Sequence, residues 1–416
     1  MKAKVLAVGI VIALLTVSAS LSAPSAAFAR SDLTRQQPAV PWTYLIYMAG
    51  DNNLESEEGY SLGLLQSGLA SGAQANVLVL EAHLNANADL LKVTSGGIIT
   101  LSTSIASLPA FSGVYGGNRP DMANPTTLSA FFSWGVQTSP SNHYLVDIWS
   151  HGGGWKYIIY DQVYDDRMSI ADLSTAMAKA MPNGARFDIT VFDACLMSMV
   201  EVADQLQGVT QYMLGSEESV PAQGFPLDLM LQDLAQSPDI ATGAYADEIV
   251  DDYYAHYARS NAKTALSVTA VDESSGTLTP LVTAIDVLSQ DLIEDMPQYA
   301  AAVGNARSVA QRQAWGINGV FWYIDLINFA DQIATNIPAL APDARAVASL
   351  AKATLYERHS QKFDGVVFGL GINFPPNLTK YNDNNYLAEN YAGINLVFTA
   401  QTHWDEMLLA YYPYQK

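Results

Sequence analysis

Short apolar runs alternate with segments of helical spacing through the first half of this chain, and this alternation restricts its fold more than any other feature. The strand-like runs are rich in β-branched and aromatic residues, as is typical of strands buried on both faces. They occupy residues 42–49, 76–81, 143–150, 187–192 and, as a short fifth run, 211–215. The segments with helical spacing are 54–69, 126–136, 169–181 and 197–206.

Strands joined by helical connections of crossover length form a largely parallel sheet that is covered on both faces. The second half is more helical, with predicted helices at 240–257, 273–292 and 342–357 and strand-like runs at 264–271 and 366–374. We therefore predict an α/β fold, a three-layer sandwich with a mostly parallel sheet and additional helices in the C-terminal half. Ligands bind such sheets beyond the carboxyl ends of the strands.

The amino terminus has the pattern of a secretory signal peptide. Lys2 and Lys4 precede an apolar run to about Val17, and an A-x-A site lies at 27–29. This run is shorter than the roughly 20 residues of a membrane-spanning helix, and no later run is long enough. We predict a signal peptide at 1–29, a flexible leader at 30–41 and a folded domain at 42–416. The mature chain should lack a membrane anchor and be secreted or periplasmic.

The chain is acidic and contains a single cysteine. A formal net charge of −21 argues against nucleic acid as a partner, because phosphate binding needs clustered Lys and Arg. The charge is compatible with basic substrates and equally with simple solubility. One cysteine excludes an intramolecular disulfide. A lone cysteine is more often an inert buried residue than a nucleophile, so its surroundings decide its role.

Two predicted strands end in residues that can carry chemistry. The third runs into the sequence SHGGGW, which contains His151, and the fourth runs into DACL, which contains Cys195. Glycines beside a histidine let the backbone approach a substrate and offer N–H groups to an oxyanion. A cysteine at a strand-to-helix turn lies near a helix N-terminus, which favours the thiolate. We predict a Cys195/His151 dyad, with the backbone N–H groups of Gly152 and Cys195 receiving the oxyanion.

Several sequence blocks of this chain resemble those of clostripain-type cysteine peptidases. They are WTYLIYMAGDNNL from residue 42, WSHGGGW from 149, FDACLMSMVEV from 192 and GSEESVPAQGF from 215, and GLGINFP from 369 is a fifth. The resemblance implies a caspase-like fold, a His151/Cys195 dyad, and cleavage of peptide or protein substrates after Arg or Lys. It also implies that Asp193 recognises the basic residue before the scissile bond.

Recognition of a basic side chain by Asp193 is supported by a physical argument, but an alternative role as a helix N-cap stays open. A carboxylate two positions before the nucleophile can pair with Arg, bidentately, or with Lys. Asp is also a favoured N-cap, and a helix is predicted to follow. Related peptidases often carry an acid where this chain has Gln223, which weakens the expected basic preference. Glu217 and Glu218 either compensate for that change or are merely solvated.

The resemblance further implies self-cleavage between the two dyad residues. The basic residues in that interval are Lys156, Arg167, Lys179 and Arg186. We favour Arg167 because it follows a stretch at 161–166 that looks exposed, although an ordinary surface role is the commoner one for such a residue. No cofactor is required for this chemistry. Calcium is implied by resemblance alone, with oxygens available at 165–166 and 217–218, and no calcium-loop pattern is present.

Other classes of function fit less well. Gly59-Tyr60-Ser61-Leu62-Gly63 matches the G-x-S-x-G motif of serine esterases, but it lies in a predicted helix and precedes the HGGG loop. No H-E-x-x-H motif occurs and the six histidines are scattered, so no metal site is predicted. A catalytically inactive secreted binding protein on a peptidase scaffold stays the main alternative.

Overall fold

The structure is a computed structural model that describes residues 40–260, 267–310, 314–316, 319–361, 364–383 and 391–415. The signal peptide predicted at 1–29 and nearly all of the leader at 30–41 lie outside the described residues. The strands are β1 Trp42–Ala49, β2 Ala75–Ala82, β3 Asp89–Thr94, β4 Gly97–Ser102, β5 His143–Trp149, β6 Ile158–Asp161, β7 Asp166–Met168, β8 Phe187–Asp193, β9 Thr210–Gly215, β10 Ser267–Asp272, β11 Ala314–Gly316, β12 Gly319–Phe321, β13 Tyr323–Asp325, β14 Leu355–His359 and β15 Gly371–Asn373.

Helices occupy half of the connections between these strands and dominate the second half of the chain. They are α1 Glu58–Ala70, α2 Pro125–Thr138, α3 Ile170–Ala180, α4 Val200–Leu206, α5 Leu227–Gln236, α6 Thr242–Ser260, α7 Leu278–Glu294, α8 Met296–Ala310, α9 Leu326–Asn336, α10 Ala341–Thr354, α11 Leu378–Tyr381, α12 Val397–Gln401 and α13 Trp404–Tyr411. No helix among the described residues is long and apolar enough to cross a membrane.

Within the described residues, nine strands form one sheet in the order β14-β10-β9-β8-β5-β1-β2-β3-β4. The five central strands, β9, β8, β5, β1 and β2, are parallel, and the two at each edge are antiparallel. Strands β5 and β8 lie side by side at the centre, with Trp149 opposite Asp193 at their carboxyl ends. The loops that follow these two strands therefore start next to each other.

Strand β1 shows why the central strands are apolar without alternation. Tyr44, Ile46 and Met48 pack into a core formed with α1, α5 and α6. Leu45 and Tyr47 point to the opposite face, into a core formed with α2, α3, α4 and the C-terminal helices. Both faces of the sheet are thus covered, and the predicted three-layer α/β sandwich with additional C-terminal helices is confirmed.

Two segments in the second half of the chain differ from their predicted structure. The helix predicted at 342–357 ends at Thr354, and Leu355–His359 forms β14, because these residues pair with β10 at the sheet edge. The strand predicted at 366–374 is limited to Gly371–Asn373, which pairs with β13 outside the main sheet. The β3–β4 hairpin at one sheet edge was not predicted.

Candidate active site

A cavity of about 230 Å³ opens at the carboxyl ends of β5 and β8. It brings together three residues that the sequence singles out, namely His151, Asp193 and Cys195. Its walls come from the loops after β1, β5, β8 and β9, which is where a parallel sheet places its ligands. The lining residues are Leu54, Trp149, Ser150, His151, Asp193, Ala194, Cys195, Val220, Pro221 and Ala222.

His151 is a buried, neutral base in this structure. Its Nε2 lies 2.9 Å from the side-chain oxygen Oδ1 of Asn53. An amide oxygen only accepts, so this bond requires the hydrogen on Nε2 and leaves Nδ1 as the basic nitrogen. Burial lowers the pKa of His151 to about 4. The imidazole is therefore uncharged at neutral pH.

The glycines after His151 are required by close contacts. A Cβ atom on Gly152 would lie 2.5 Å from the Cys195 carbonyl oxygen and 2.9 Å from Met197 Sδ. Gly154 has φ of +61°, a conformation that side chains disfavour. The carbonyl of Gly153 accepts a 2.6 Å hydrogen bond from the Tyr323 hydroxyl. Only a glycine loop can thus pass between the Cys195 turn and the C-terminal part of the chain.

Cys195 lies in a tight turn directly after β8, and it is partly exposed. Leu196 takes a positive φ of +69°, and its amide donates to the Glu218 carbonyl at 3.1 Å. The amide of Ser198 donates to the Ser216 carbonyl at 3.0 Å. Backbone bonds to the segment after β9 therefore fix the turn and the orientation of the thiol.

The prediction that a nearby helix N-terminus favours the thiolate form of Cys195 is wrong. The helix predicted to start at Met197 starts at Val200, because Met199 forms a bridge with Gly371. The thiol thus lacks a helix N-terminus next to it. Burial instead raises the pKa of Cys195 above its ordinary value. A contact of 3.9 Å from its Sγ to the Val220 carbonyl oxygen opposes this rise but does not cancel it. The resting site holds a neutral thiol beside a neutral imidazole.

The two amides predicted to receive an oxyanion are unoccupied by other protein groups. Among the described residues, the N–H groups of Gly152 and Cys195 donate no hydrogen bond, whereas the next amides, of Gly153 and Leu196, donate to Tyr157 and Glu218. Gly152 and the Cys195 backbone are also in contact, as the space around Gly152 shows. Of the two residues, Cys195 lines the cavity, whereas Gly152, next to His151, is buried.

Asp193 ends β8 as a buried carboxylic acid at the cavity wall. Its Oδ2 accepts a 2.8 Å hydrogen bond from the Phe225 amide. Burial raises its pKa to about 7, and the bond from Phe225 opposes that rise. The alternative role as an N-cap is excluded, since the next helix begins at Val200 with Met199 as its cap residue. Fully buried Asp147, on neighbouring β5, has a pKa well above its ordinary value because of burial and the Asp193 charge.

The residues expected to compensate for Gln223 do not line this cavity. Gln223 itself is exposed. Glu217 and Glu218 are both buried, so the idea that they are merely solvated is wrong. Oxygen Oε2 of Glu217 accepts a 2.9 Å hydrogen bond from the Gly369 amide. This contact gives Glu217 a structural role, in joining the segment after β9 to the C-terminal region.

Arg167 lies in the β6–β7 hairpin, between His151 and Cys195 in the chain. Its guanidinium stacks 4.3 Å from the centre of the Tyr160 ring and lies 3.6 Å from the Asp165 carboxylate. Its side chain is only 13% exposed, although the turn before it, at 162–165, is largely exposed. Cleavage after Arg167 therefore requires the short strand β7 to open first.

Two other predicted features can be located. Ser61 of the G-x-S-x-G match is buried inside helix α1, so it does not form the strand-to-helix elbow that a serine esterase needs. The acids at 165–166 and 217–218 belong to no group of metal-ligating side chains among the described residues. Calcium stays implied by the family resemblance alone.

Sequence reasoning missed Asn53 as a member of this site. The chain does mark residues 50–53 as a turn, through Gly, Asp and Asn in succession. Nothing local indicates that one of these amides contacts an imidazole 98 positions away. Its place after β1, the strand next to β5, is the only signal that could have found it.

Comparisons with known proteins agree with this geometry. The sequence model of the clostripain family matches residues 46–411. Similar solved structures include a secreted C11 cysteine protease from Bacteroides thetaiotaomicron with an irreversible peptide inhibitor, with TM-score 0.62 and 20% identity over 88% of this chain and 100% of that one. No curated protein sequence is similar enough to count as a relative.

Two further structures have the same fold. A second structure of a secreted Bacteroides thetaiotaomicron C11 protease, named iotapain, has TM-score 0.63 and 17% identity over 88% of this chain and 99% of that one. An inactive zymogen of a C11 protease from Parabacteroides distasonis has TM-score 0.58 and 23% identity over 77% and 84%. These likenesses confirm the predicted caspase-like fold.

Proposed function

This chain belongs to the clostripain family of cysteine peptidases, and on that premise we propose that it is an exported endopeptidase that cleaves after Arg or Lys with Cys195 as nucleophile and His151 as its base. One observation carries the proposal: a thiol, an imidazole and a buried carboxylate line the same cavity at the strand ends. Cysteine peptidase chemistry uses these groups without a cofactor.

The proposed reaction starts from the neutral pair. Nδ1 of His151 takes the proton of the Cys195 thiol as the sulfur attacks the substrate carbonyl. The amides of Gly152 and Cys195 donate to the oxyanion that forms. The imidazolium then protonates the leaving amine, and a water activated by His151 hydrolyses the thioester. The low pKa of His151, about 4, makes its imidazolium a strong acid for the second step.

Asp193 is proposed to recognise the basic side chain. A guanidinium or ammonium entering the cavity favours the carboxylate form of Asp193, whose pKa is raised to about 7 in the empty cavity. The charge-assisted hydrogen bonds of such a pair form away from bulk water. A neutral side chain leaves the buried acid without compensation, which gives selectivity against it.

Export and activation complete the proposal. The signal pattern at 1–29, the leader at 30–41 and a peptidase domain at 42–416 describe a secreted or periplasmic enzyme. Both Bacteroides thetaiotaomicron structures are described as those of a secreted protease, and the Parabacteroides distasonis structure as that of an inactive zymogen. We propose by analogy that this chain activates itself by cleavage after Arg167, in the hairpin between His151 and Cys195.

The decisive experiment compares Cys195→Ala and His151→Ala with wild type on short fluorogenic peptides ending in Arg or Lys. Each variant should lower kcat/KM by at least about 10⁴-fold, as removal of a nucleophile or its base does elsewhere. His403→Ala is the matched control, since this exposed histidine lies on the distant α13 side and contacts Asp286. A dyad variant that keeps wild-type activity overturns the proposal.

The same samples separate peptidase activity from self-processing. Cys195→Ala should stay a single chain on a denaturing gel, whereas wild type should divide after Arg167, as shown by the N-terminal sequence of the new fragment. Arg167→Gln should block that cleavage. Cleavage elsewhere between the dyad residues would overturn Arg167 and leave the peptidase assignment intact. A fully activated chain that turns over no basic peptide but binds a partner tightly would support the inactive binding protein instead.

A further inference from the structure

A second group of ionisable side chains lies at the carboxyl ends of β1 and β2, apart from the thiol and Asp193. His83 follows β2, and its Nδ1 lies 3.2 Å from Oε2 of Glu58, the first residue of helix α1. The other ring nitrogen, Nε2, lies 3.8 Å from Oε2 of Glu81 and 3.7 Å from Oδ2 of Asp89. One imidazole is therefore surrounded by three carboxylates.

The strand register makes this arrangement unfavourable unless a positive charge, an imidazolium or a metal ion, lies between the acids. Glu81 and Asp89 are directly opposite each other in the antiparallel β2–β3 pair. Like charges at directly opposed positions destabilise a sheet. Among the described residues, no Lys or Arg forms an ion pair with Glu58, Glu81 or Asp89. A single imidazole thus faces the charge of three acids.

Glu81 is buried beside His83, which is its only ion-pair partner among the described residues. Its side chain is 9% exposed and points into the group. It accepts no hydrogen bond from any residue in the described part of the chain, and its contact with His83 is longer than a hydrogen bond. Buried carboxylates are normally hydrogen-bonded, paired or bound to a metal.

We propose that Glu81, His83 and Asp89 bind a divalent transition-metal ion such as Zn²⁺, and that Glu58 orients the imidazole. The division of roles follows from the two ring nitrogens. Metal-binding histidines usually donate their second N–H to a carboxylate, and Glu58 occupies that position. The nitrogen ligand favours a borderline metal over Ca²⁺, which takes oxygen ligands.

The distances from the imidazole nitrogen to two of the carboxylates are close to the ligand spacing of a metal site. Two ligand atoms on one tetrahedral Zn²⁺ lie about 3.4 Å apart, given bonds of about 2.1 Å. Nε2 lies 3.7 Å from the Asp89 carboxylate and 3.8 Å from that of Glu81, and ligand atoms of Glu58, Glu81 and His83 all lie within 4.8 Å of one another. Asp89 is 30% exposed, so the site has an opening through which an ion and a completing water can enter.

The position of this site connects it to the loop beside the catalytic histidine. Glu58 starts α1 shortly after the turn that holds Asn53, whose side chain contacts His151. Glu55 in the same turn accepts a 2.9 Å hydrogen bond from the Leu84 amide. A metal held between β2 and β3, with Glu58 on its histidine, would thus stabilise the turn that carries Asn53.

The test uses the full mature chain with Cys195→Ala and no histidine tag. Since Cys195 is the only cysteine, this background cannot bind Zn²⁺ through a thiolate. After metal removal, calorimetric titration with Zn²⁺ should show one ion per chain, and Zn²⁺ should raise the unfolding temperature. His83→Ala and Glu81→Gln should each weaken Zn²⁺ binding at least about 100-fold. His403→Ala is the matched control and should bind like the parent.

Each result decides the proposal, without relying on peptidase activity. Absence of Zn²⁺ binding by the parent, or equal binding by Glu81→Gln, would overturn it. Should His83→Ala fail to fold, the isosteric Glu81→Gln variant still gives an answer. Stabilisation by Ca²⁺ but not by Zn²⁺, lost in Glu81→Gln, would overturn the assignment to a transition metal.

Discussion

The two loops that line the cavity follow neighbouring strands but are held in different ways. The loop after β5, which carries His151, has backbone hydrogen bonds to Tyr157 and Ile159 and is also limited by exclusion, since side chains at its glycines would collide with other parts of the protein. The loop after β8, which carries Cys195, is fixed by backbone hydrogen bonds from Leu196 and Ser198 to the segment after β9. Steric limits thus add to hydrogen bonds in holding the histidine loop, whereas the cysteine loop is held by backbone pairing.

This difference indicates how each loop should respond to change. A loop placed by exclusion fails abruptly when one atom is added, because backbone has nowhere to move. A loop held by several hydrogen bonds loses them one at a time, at about 1 kcal/mol each. Single substitutions should therefore damage the histidine loop more than the cysteine loop.

Among substitutions that leave His151 and Cys195 in place, the largest effect is expected for Gly152→Ala. The new Cβ would lie 2.5 Å from the Cys195 carbonyl oxygen, so the two loops must separate. We expect a loss of kcat/KM of at least about 10²-fold, as a misplacement of about 1 Å can cause, together with a lower unfolding temperature. Gly63→Ala is the matched control, because it lies in α1 with no atom near its added Cβ and should be slightly stabilising. Similar behaviour of the two variants would contradict placement by exclusion.

A smaller effect is expected for Asp193→Asn, at the start of the cysteine loop. Loss of a charge-assisted contact should lower kcat/KM for Arg peptides by about 10- to 100-fold. In wild type, kcat/KM should rise with pH as Asp193 ionises near its pKa of about 7. This rise should be absent in the variant. The pH dependence of alkylation by iodoacetamide, which needs no basic pocket, is the control.

The difference in stability between Asp193→Asn and wild type should depend on pH. The folded pKa of Asp193 is raised from 3.8 to about 7, so ionising it costs folding free energy as pH rises through that interval. Asp193→Asn should therefore gain stability relative to wild type at pH 8 and less, or none, near pH 4. Chemical denaturation at both values measures this difference, and a uniform loss would mean that the substitution merely damages the fold.

Asn53→Ala should have a moderate effect on the histidine loop. It removes the acceptor for His151 Nε2, which is worth about 1 kcal/mol or roughly 5- to 10-fold in kcat/KM. Asn53→Asp should restore the hydrogen bond and, through its charge, raise the pKa of His151 from about 4. Titration of the ring by NMR in the Cys195→Ala background measures that shift. Equal ring titration in all three chains would show that Asn53 does not position the imidazole.

The smallest effects should be those of one lost hydrogen bond in each loop. Tyr323→Phe removes the 2.6 Å bond to the Gly153 carbonyl, and Ser198→Ala removes the 2.6 Å bond to the Gly369 carbonyl. Each should lower the free energy of unfolding by about 1–2 kcal/mol and change kcat/KM by less than about fivefold. A much larger cost for Tyr323→Phe would show that this bond, rather than exclusion, holds the histidine loop.

Much of the fold could be predicted from the sequence because its central strands are buried on both faces. All five strands predicted in the first half lie within one residue of the observed bounds. The β3–β4 hairpin was missed since β4 is an edge strand whose apolar residues are partly exposed, among them Ile98, Ile99 and Leu101. A pattern that is neither continuous nor alternating gives no clear strand signal.

The sequence was enough to predict which residues form the candidate site, but not their protonation or their long-range contacts. Strand-end positions identified His151, Asp193 and Cys195, which the structure places around one cavity. The predicted thiolate form of Cys195 was wrong. It relied on a helix starting next to the thiol, but Met199 bridges to Gly371 and the helix starts only at Val200. The contact with Asn53 joins residues far apart in the chain. Such long-range contacts leave no local trace in a sequence.

The pairing of Trp149 with Asp193 at the ends of two parallel strands limits how this enzyme can vary. Because side chains alternate between the two faces, inserting or deleting one residue within either strand would turn its end to the wrong face. Changes in length can be tolerated only after the reactive residues, in the hairpin following the glycines or beyond the thiol turn. Attempts to redesign specificity should therefore graft new loops there and leave both strand lengths unchanged.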